Sequence, residues 1–551
     1  MISFGGFSTI DWFRTGGGRG RGSNFVLIFV SLFSIICSFD DENWHGKAYA
    51  DGREDNVENS AMKELRERLR VRSIEEQINE LGKISSSEKD ERFGITRLVY
   101  TEEDLLARDY VKRLMIKNGL EVREDAMGTI FGRLSGVVDD YEGFEGVAVG
   151  SGSHTDAIPL SGKYDGVYGV LGAIEALGAL KRARFQPFRH LEAVMFNSEE
   201  PSRFGVSCSG SRAMGGVLNW EKLEKLPDVL NASSSFFDAA SKAGYGKQWK
   251  DSKTKKQTIR TAEDMIKSST MLPKDSHYYS FVELHIEQGP ELEKENLDIG
   301  IVTAIAAPAA LEITFEGDGG HAGAQLMPLR NDAVVAGSKL AVAVEEFAKG
   351  SGSIDTVATV GGFTVSPNAI NSVPRVAVLE IDVRDISLER RDLIVMQIKQ
   401  KAEEIAKEQN TRVKIHEINK DDPAQSGESA MHAVERATES LGFTKKKMVS
   451  RAYHDTLFVA KACSNVAMIF IPCFKGYSHR PDEHSTDSQM IKGIETLALA
   501  MAQLSRENSL VRVLKRSSSK LADFDLPFFI KDDAEADADG KSGLNRRSQE
   551  L

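Results

Sequence analysis

Residues 150–170 read GSGSHTDAIPLSGKYDGVYGV, and residues 191–211 read LEAVMFNSEEPSRFGVSCSGS. An apolar run with helical spacing joins them. A short buried strand, a helix and a second buried strand, with polar groups at the carboxyl end of each strand, predict a doubly wound α/β sheet, in which ligands bind at those ends. Glycines flank each polar group and let the backbone turn sharply where a side chain must be presented.

The polar groups are His154 and Asp156 after the first strand, Asp165 ahead of the helix, and Glu199 with Glu200 after the second strand. Any one of them alone would be an ordinary surface acid or a hydrogen-bonded histidine. Together they are a donor set for two adjacent divalent cations plus a general base. His154 offers an imidazole nitrogen, and Asp156 can orient that ring. Asp165 has two carboxylate oxygens and can bridge two cations. Glu200 can ligate, and Glu199 beside it can take a proton from an attacking water. Neighbouring carboxylates repel unless a cation or a shared proton offsets the cost, and that cost is the physical reason to expect metal.

Further donors come from later in the chain. The stretch YYSFVELHIEQGPELE places His285 in a strand-like run, followed by Glu287 and Gln288. The stretch MIFIPCFKGYSHRPDEHS gives another buried strand, a glycine turn and then His479. His484 is the spare candidate; His479 is preferred because it directly follows the strand and turn. Three histidines and two acids around two cations suit Mn2+ or Zn2+ and a hydrolytic reaction.

Between Ile301 and Asn419 the pattern changes to strand, helix, strand, strand, helix, strand, the ferredoxin-like order. This stretch (301–419) is read as a lid inserted into a catalytic domain made of 62–300 and 420–509. Three polar groups stand out in it. His321 lies among glycines in GDGGHAGAQ, Asn371 lies in SPNAINSVP, and Arg384 alternates out of the strand LEIDVRD. The plain alternative for each is a turn residue or an exposed strand charge. Arg384 has the planar fork that clamps a carboxylate.

Upstream, residues 62–85 read as charged amphipathic helix. Thr101 is a helix N-cap and Gly119 a stop. Residues 121–136 alternate like a strand pair. Before all of this, Arg14, Arg19 and Arg21 precede an apolar run from Phe25 to Phe39, and AYA follows at Ala48–Ala50. Residues 1–50 therefore read as a signal peptide or signal-anchor, with any membrane association only through an uncleaved leader. A sequon, Asn231-Ala232-Ser233, is compatible with passage through the secretory pathway. Residues 510–551, with KRSSSK and DDAEADAD, read as a solvated, disordered tail.

The motifs GSHTDAIPLSGKYDGVYG, NSEEPSRFG, ELHIEQGP, GGHAGAQLMPLRNDA, INSVP and GYSHRP together resemble the amidohydrolase branch of the metallopeptidase M20 family, in motif order from about Met62 to Glu507. The resemblance implies an M20-type catalytic domain with a ferredoxin-like α+β lid and dimerisation domain, and two divalent metal ions per subunit, Mn2+ first and Zn2+ as the alternative. It puts the ligands on His154, Asp165, Glu200, His285 and His479, with Glu199 as general base. Substrate contacts would fall on Gln288, His321, Asn371, Arg384, Tyr453 and His454. A homodimer is implied, with His321 reaching the site of the other copy, as is residence in the endoplasmic reticulum. The implied reaction cleaves the ureido C–N bond of a small ureide, ureidoglycolate, in purine catabolism. Allantoate and N-carbamoyl amino acids are the alternative substrates, and a catalytically silent binding protein is the non-enzyme alternative. Relatives acting on those alternatives typically have a small residue before the His-Asp pair; here Tyr453 stands there and would leave less room for a second ureido group. His484 departs from the aromatic residue usual at its position.

The bulk properties agree. A chain of 551 residues with 41% hydrophobic and 28% charged residues is soluble-protein-like and long enough for more than one domain. A net charge of −12 argues against a nucleic-acid partner. The four cysteines, Cys37, Cys208, Cys463 and Cys473, contain no CxxC pair and indicate no disulfide framework.

Overall fold

The computed structural model describes residues 62–87, 94–138, 147–251, 256 and 259–507. The chain divides between Lys63 and Glu64, and the described sheets and the functional groups lie in the part from Glu64 onward. The leader expected over 1–50 and the tail expected over 510–551 lie outside the described residues. Among the described residues no helix is long and apolar enough to cross a membrane.

Counting along the chain, the main sheet begins with β1 (Glu121–Glu124), β2 (Ile130–Leu134), β3 (Ala148–His154), β4 (His190–Phe196), β5 (Tyr278–Ile286) and β6 (Ile299–Ile305). An insertion then contributes β7 (Ala307–Glu316), β8 (Val357–Ser366), β9 (Val376–Asp385) and β10 (Arg412–Lys420). The main sheet resumes with β11 (Ala424–Gln425), β12 (Lys445–Ser450) and β13 (Val466–Ile471). Its order is β11-β6-β13-β5-β3-β4-β2-β1, with β12 also paired to β6.

The four central strands, β13-β5-β3-β4, are mutually parallel. Strands β3, β4 and β13 are buried along their whole length, as strands covered on both faces must be. Helix α1 (Val167–Arg182) crosses from β3 to β4, the strand–helix–strand order read from sequence. It packs against the last described helix, Asp487–Arg506. Gly169 lets α1 lie on the sheet, because a Cβ there would come 2.3 Å from the Leu284 carbonyl oxygen.

The insertion has the predicted ferredoxin-like order. Its four strands are antiparallel in the order β8-β9-β7-β10. Helices Ala333–Lys349 and Leu388–Glu408 bury one face of this sheet around Leu311, Phe315, Leu340, Leu379 and Ile398. The alternation of buried and partly exposed residues along β9 is that of a sheet covered on one side. The expected boundary at 301 falls inside β6, which pairs in the main sheet. The chain changes sheets at Ala306, within an apolar run that carries no polar break to mark it. The far end, expected at 419, lies one residue before the end of β10 at Lys420. The insertion enters and leaves side by side, since Ala304 pairs with Gln425 and Ile305 with Ala424.

Thr101 caps its helix as expected, accepting from the Asp104 N–H, and the helix ends at Lys117 before Gly119 at φ 74°. The amphipathic stretch from Met62 is broken before Glu75, where the Ser73 hydroxyl accepts the Glu75 N–H at 3.3 Å. Residues 212–251 and 259–277, assigned no elements from sequence, include short helices such as Trp220–Lys225, Phe236–Lys242 and Ala262–Ser269 around Phe236, Phe237 and Met265. Helices of this length show too few turns for a clear period.

One buried ion network holds the amino-terminal ends of the central strands. Glu192 on β4 is fully buried and is met by Arg133 Nε at 2.9 Å, His277 Nε2 at 3.0 Å and the Tyr278 hydroxyl at 2.8 Å. Burial alone would push its carboxyl up, but Arg123, His277 and Arg133 outweigh it and hold it well below the ordinary range. A depressed folded pKa contributes stability that is fully present above the unfolded value and is lost as pH falls through the folded one. Glu192→Gln is therefore expected to cost about 3 kcal/mol at pH 7, with the gap to wild type narrowing below pH ~4. Urea unfolding at both pH values checks this; an equal gap at both would contradict it.

Candidate metal centre and active site

The four parallel strands deliver the site at their carboxyl ends. His154 is the last residue of β3 and His285 the second-last of β5; Glu199 and Glu200 follow β4, and His479 follows β13. Asp165 stands on the turn that leads into α1. Two triads result, His154–Asp165–His285 and Asp165–Glu200–His479, each with its donor atoms within 4.8 Å of one another. Asp165 belongs to both. Its Oδ1 is 3.2 Å from His285 Nε2 and 3.9 Å from His154 Nε2, and its Oδ2 is 3.0 Å from His479 Nε2. Glu200 Oε1 is 3.2 Å from His479 Nε2. A carboxylate shared between two sets of nitrogen and oxygen donors fits a pair of borderline or hard divalent cations. His484 is elsewhere, its Nδ1 2.9 Å from the Tyr164 hydroxyl.

The backbone is held in unusual conformations around these groups. Ser198 (φ 53°), Cys208 (φ 56°), Gln288 (φ 56°) and His479 (φ 58°) are all left-handed, a costly arrangement for residues with a Cβ. Gly166 (φ 64°) caps α1, and a Cβ there would come 2.3 Å from His154 Nε2. Only glycine allows the imidazole to lie against that turn.

Charge is concentrated here. Burial pushes Asp165 up, but hydrogen bonding to His285 and His479 outweighs it and holds the carboxylate well below its usual range. Burial pulls His285 down, but Asp165 raises it to about 9. Asp165, then Glu200, raise His479 to about 10. His154 is lowered, chiefly by burial. Glu199 is pushed well above the carboxylate range by burial, then by Glu200 and Asp455. Its Oε2 lies 3.8 Å from His154 Nε2, and Oε1 accepts from the Cys208 thiol at 3.3 Å. Cys208, Cys463 and Cys473 are all free thiols.

Asp156 acts on the neighbouring strand more than on the ring it was expected to orient. His154 Nδ1 meets the Asp156 backbone oxygen at 2.9 Å, while the carboxylate stands farther off at 3.7 Å. That carboxylate instead accepts the N–H of Glu199 at 3.1 Å and of Glu200 at 2.9 Å. Burial pushes it up to about 7. The spacing of two residues hid this, because a short side chain next to a turn reaches the adjacent strand end as easily as its own.

The six expected substrate contacts separate into four places. Gln288 is at the centre: Nε2 donates to Asp165 Oδ1 at 3.0 Å and to Ser478 Oγ at 2.9 Å, and Oε1 is buried without a partner. His454 lies behind His285, ring to ring at 4.7 Å, with Nε2 2.8 Å from Ser450 Oγ. It forms a third donor group with Glu283 and His285, but Glu283 already accepts from Ser153 at 2.8 Å and the Thr456 N–H at 2.9 Å. Tyr453 and Arg384 meet at the junction with the insertion. The Tyr453 hydroxyl donates to Asp421 Oδ2 at 2.6 Å, and Arg212 grips the same carboxylate at 2.7 and 2.6 Å. Arg384 is forked onto Asp382 at 2.8 and 3.2 Å and lies 5.8 Å from the Tyr453 ring. His321 and Asn371 are exposed on linked loops, the Ala322 N–H donating to the Asn371 oxygen at 2.9 Å. They are at the other end of the inserted sheet, roughly 25 Å along β9 from Arg384. One chain does not bring those two together with Arg384. Sequence reasoning did not single out Glu283, Cys208, Asp421 or Glu483; acids and a thiol with no local pattern gave no signal.

The profile of Peptidase family M20/M25/M40 matches residues 150–503. A ureidoglycolate hydrolase of Oryza sativa subsp. japonica is 50% identical over 437 residues, 78% of this chain and 84% of the relative. One of Arabidopsis thaliana is 48% identical over 435 residues, 78% of this chain and 86% of the relative. The crystal structure of AtUAH in complex with glyoxylate aligns with a TM-score of 0.69 at 46% identity, covering 80% of this chain and 100% of that one. The same values hold for AtUAH in complex with (S)-hydroxyglycine.

The protonation of the two raised histidines generates a prediction. In chelated protein His285 and His479 keep their protons up to about 9 and about 10. Cations bind neutral imidazole, so apparent affinity should rise with pH toward that range, and binding at pH 7.5 should release about two protons per pair of ions. Calorimetry of Mn2+ binding in two buffers of different ionisation heat measures this. No proton release near neutral pH would contradict it.

Proposed function

Because the chain belongs to peptidase family M20/M25/M40, we propose that it is a metal-dependent amidohydrolase cleaving the ureido C–N bond of (S)-ureidoglycolate, with glyoxylate, ammonia and carbon dioxide as the products. One observation carries the reading. Donors scattered from His154 to His479 converge on Asp165 in a chain half identical to ureidoglycolate hydrolases over 437 residues. The complexes of AtUAH with glyoxylate and (S)-hydroxyglycine support a route in which hydrolysis gives hydroxyglycine and carbamate; the carbamate decays to ammonia and carbon dioxide, and hydroxyglycine loses a second ammonia to give glyoxylate.

His154, Asp165, Glu200, His285 and His479 would hold the two cations, which are Mn2+ by preference. When bound, the pair supplies Lewis acidity toward the ureido carbonyl and the attacking water. Glu199 takes the proton of that water and returns it to the departing nitrogen; its burial among acids favours proton uptake. Asp156 fixes Glu199 through the backbone amides. The buried, unpartnered Gln288 Oε1 accepts a ureido N–H. Arg384 turns its fork from Asp382 to the substrate carboxylate. The Tyr453 ring fills the space a second ureido group would need.

The separation of His321 and Asn371 from Arg384 supports a homodimer in which a second copy lends the first two side chains, with His321 at the developing oxyanion. The full exposure of Ile370 beside Asn371, at 104%, supports a covering partner there. The apolar run at Phe25–Phe39 and the exposed sequon at Asn231 support a leader and residence in the endoplasmic reticulum.

The test is ammonia release by the purified protein with Mn2+, offered ureidoglycolate, allantoate and an N-carbamoyl amino acid side by side. Ureidoglycolate should be turned over and the other two at least about tenfold more slowly. Faster turnover of allantoate would overturn the substrate assignment. Glu199→Gln should lower kcat by about 10²- to 10⁴-fold while leaving metal content unchanged; loss of metal in that variant would place Glu199 among the ligands instead. Tyr453→Gly should gain allantoate hydrolysis, and no gain would remove Tyr453 from the discrimination.

A further inference from the structure

His479 is the most weakly enclosed member of the donor set. Its side chain is 47% exposed, against 2–7% for His154, Asp165, Glu200 and His285. It stands on a loop, in a left-handed conformation. Packing therefore does little to fix it, yet its Nε2 must meet both Asp165 and Glu200. Something else must hold this loop against the Asp165 turn.

Glu483, on the same loop, is 3% exposed. Its Oε1 accepts two backbone amides of the opposite turn, the Tyr164 N–H at 2.8 Å and the Asp165 N–H at 2.9 Å. Those amides lie in the turn just ahead of α1, before its N-cap Gly166. Two further contacts join the same two segments. The Ser478 hydroxyl donates to Asp165 Oδ2 at 3.2 Å, and the Tyr164 hydroxyl meets His484 Nδ1 at 2.9 Å. Gly162 makes room, because a Cβ there would come 2.3 Å from Glu483 Cδ.

We propose that Glu483 is a positioning residue for the cation pair: it ties the His479 loop to the Asp165 turn and so sets where His479 stands relative to the shared carboxylate. The proposal depends on the two-cation reading of the site. Glu483 belongs to none of the donor groups. Its carboxylate oxygen works as a double acceptor of fixed reach, so length and acceptor character matter, and charge does not.

Three variants of the full chain separate these properties. Glu483→Gln keeps reach and acceptor, Glu483→Asp keeps charge but shortens the reach, and Glu483→Ala removes both. Each is stripped of metal and titrated with Mn2+, following calorimetry and the exchange-coupled dimanganese signal in electron paramagnetic resonance, with circular dichroism as the folding control. Glu483→Gln should keep two ions and the coupled signal. Glu483→Asp and Glu483→Ala should lose the coupled signal and bind the second ion about 10- to 100-fold more weakly, while the ion at His154, Asp165 and His285 stays. A purely structural staple would shift thermal stability and leave the coupled signal intact. An unchanged signal in Glu483→Asp, or loss of it in Glu483→Gln, overturns the proposal, and these two decide the matter if Glu483→Ala does not fold. A wild-type protein that never shows a coupled signal overturns the two-cation reading first, and the brace with it.

Discussion

Asp156, Asp165, Glu199, Glu200 and Asp455 are all nearly or fully buried, and each of the others raises the proton affinity of Glu199. Removing that much negative charge from water costs several kcal/mol per ion unless it is compensated. The surrounding structure is a distribution of donors onto these acids. Asp156 takes the amides of Glu199 and Glu200, Ser211 donates to Asp455 at 2.5 Å, Cys208 faces Glu199, and His285 and His479 flank Asp165. What is left over, the shared Asp165 with Glu200 and three imidazoles, is a donor set in which two dications would offset the carboxylate charge and take the imidazole nitrogens as ligands. The turn carrying His154 is fixed from behind by Arg97, fully buried, which donates to the Thr155 carbonyl at 2.7 Å and to those of Leu81 and Ile84 at 2.8 Å.

Much of this was legible in the chain. The strand ends announced themselves, because β3, β4 and β13 are short, largely apolar runs followed by polar residues, and a parallel sheet gathers such ends on one edge. That is why His154, Glu199, Glu200 and His479 could be placed together from residues far apart. His479 and His484 could be told apart by the same rule: only the first stands against Asp165. The ferredoxin-like insertion was legible from its alternation of periods. What was not legible has one physical cause. The partner of a short polar side chain is chosen by tertiary proximity, and nothing in local pattern says that Glu483 reaches the amides of Tyr164 and Asp165, or that the Tyr453 hydroxyl is held by Asp421. The boundary at 301 slipped for the related reason that β6 and β7 form one apolar run across a change of sheet.

The site also shows how a large insertion coexists with a site that demands small tolerances. The donors of the cation pair come only from the main sheet and its loops, while the insertion brings Arg384 to the edge through a fork on Asp382 and a bond to the Arg451 carbonyl at 3.0 Å. On the proposed function, binding of metal and capture of the organic anion would thus fall to different bodies of the chain.

The manner of attachment has a mechanical meaning. The chain enters the insertion after β6 and leaves it before β11, and these two strands are hydrogen-bonded neighbours at Ile305 and Ala424, about 5 Å apart. Two tethers so close together resist twisting and sliding but yield readily to bending across them, so the insertion has in effect one soft degree of freedom, a swing about the line of the two strands. Asp421, between Arg212 and the Tyr453 hydroxyl, lies beside these tethers, its N–H donating to the Pro308 carbonyl at 3.2 Å. Arg384 stands just as near, since it pairs with Pro308, whereas the His321 and Asn371 end of the inserted sheet lies farthest from the tethers and would move most in such a swing.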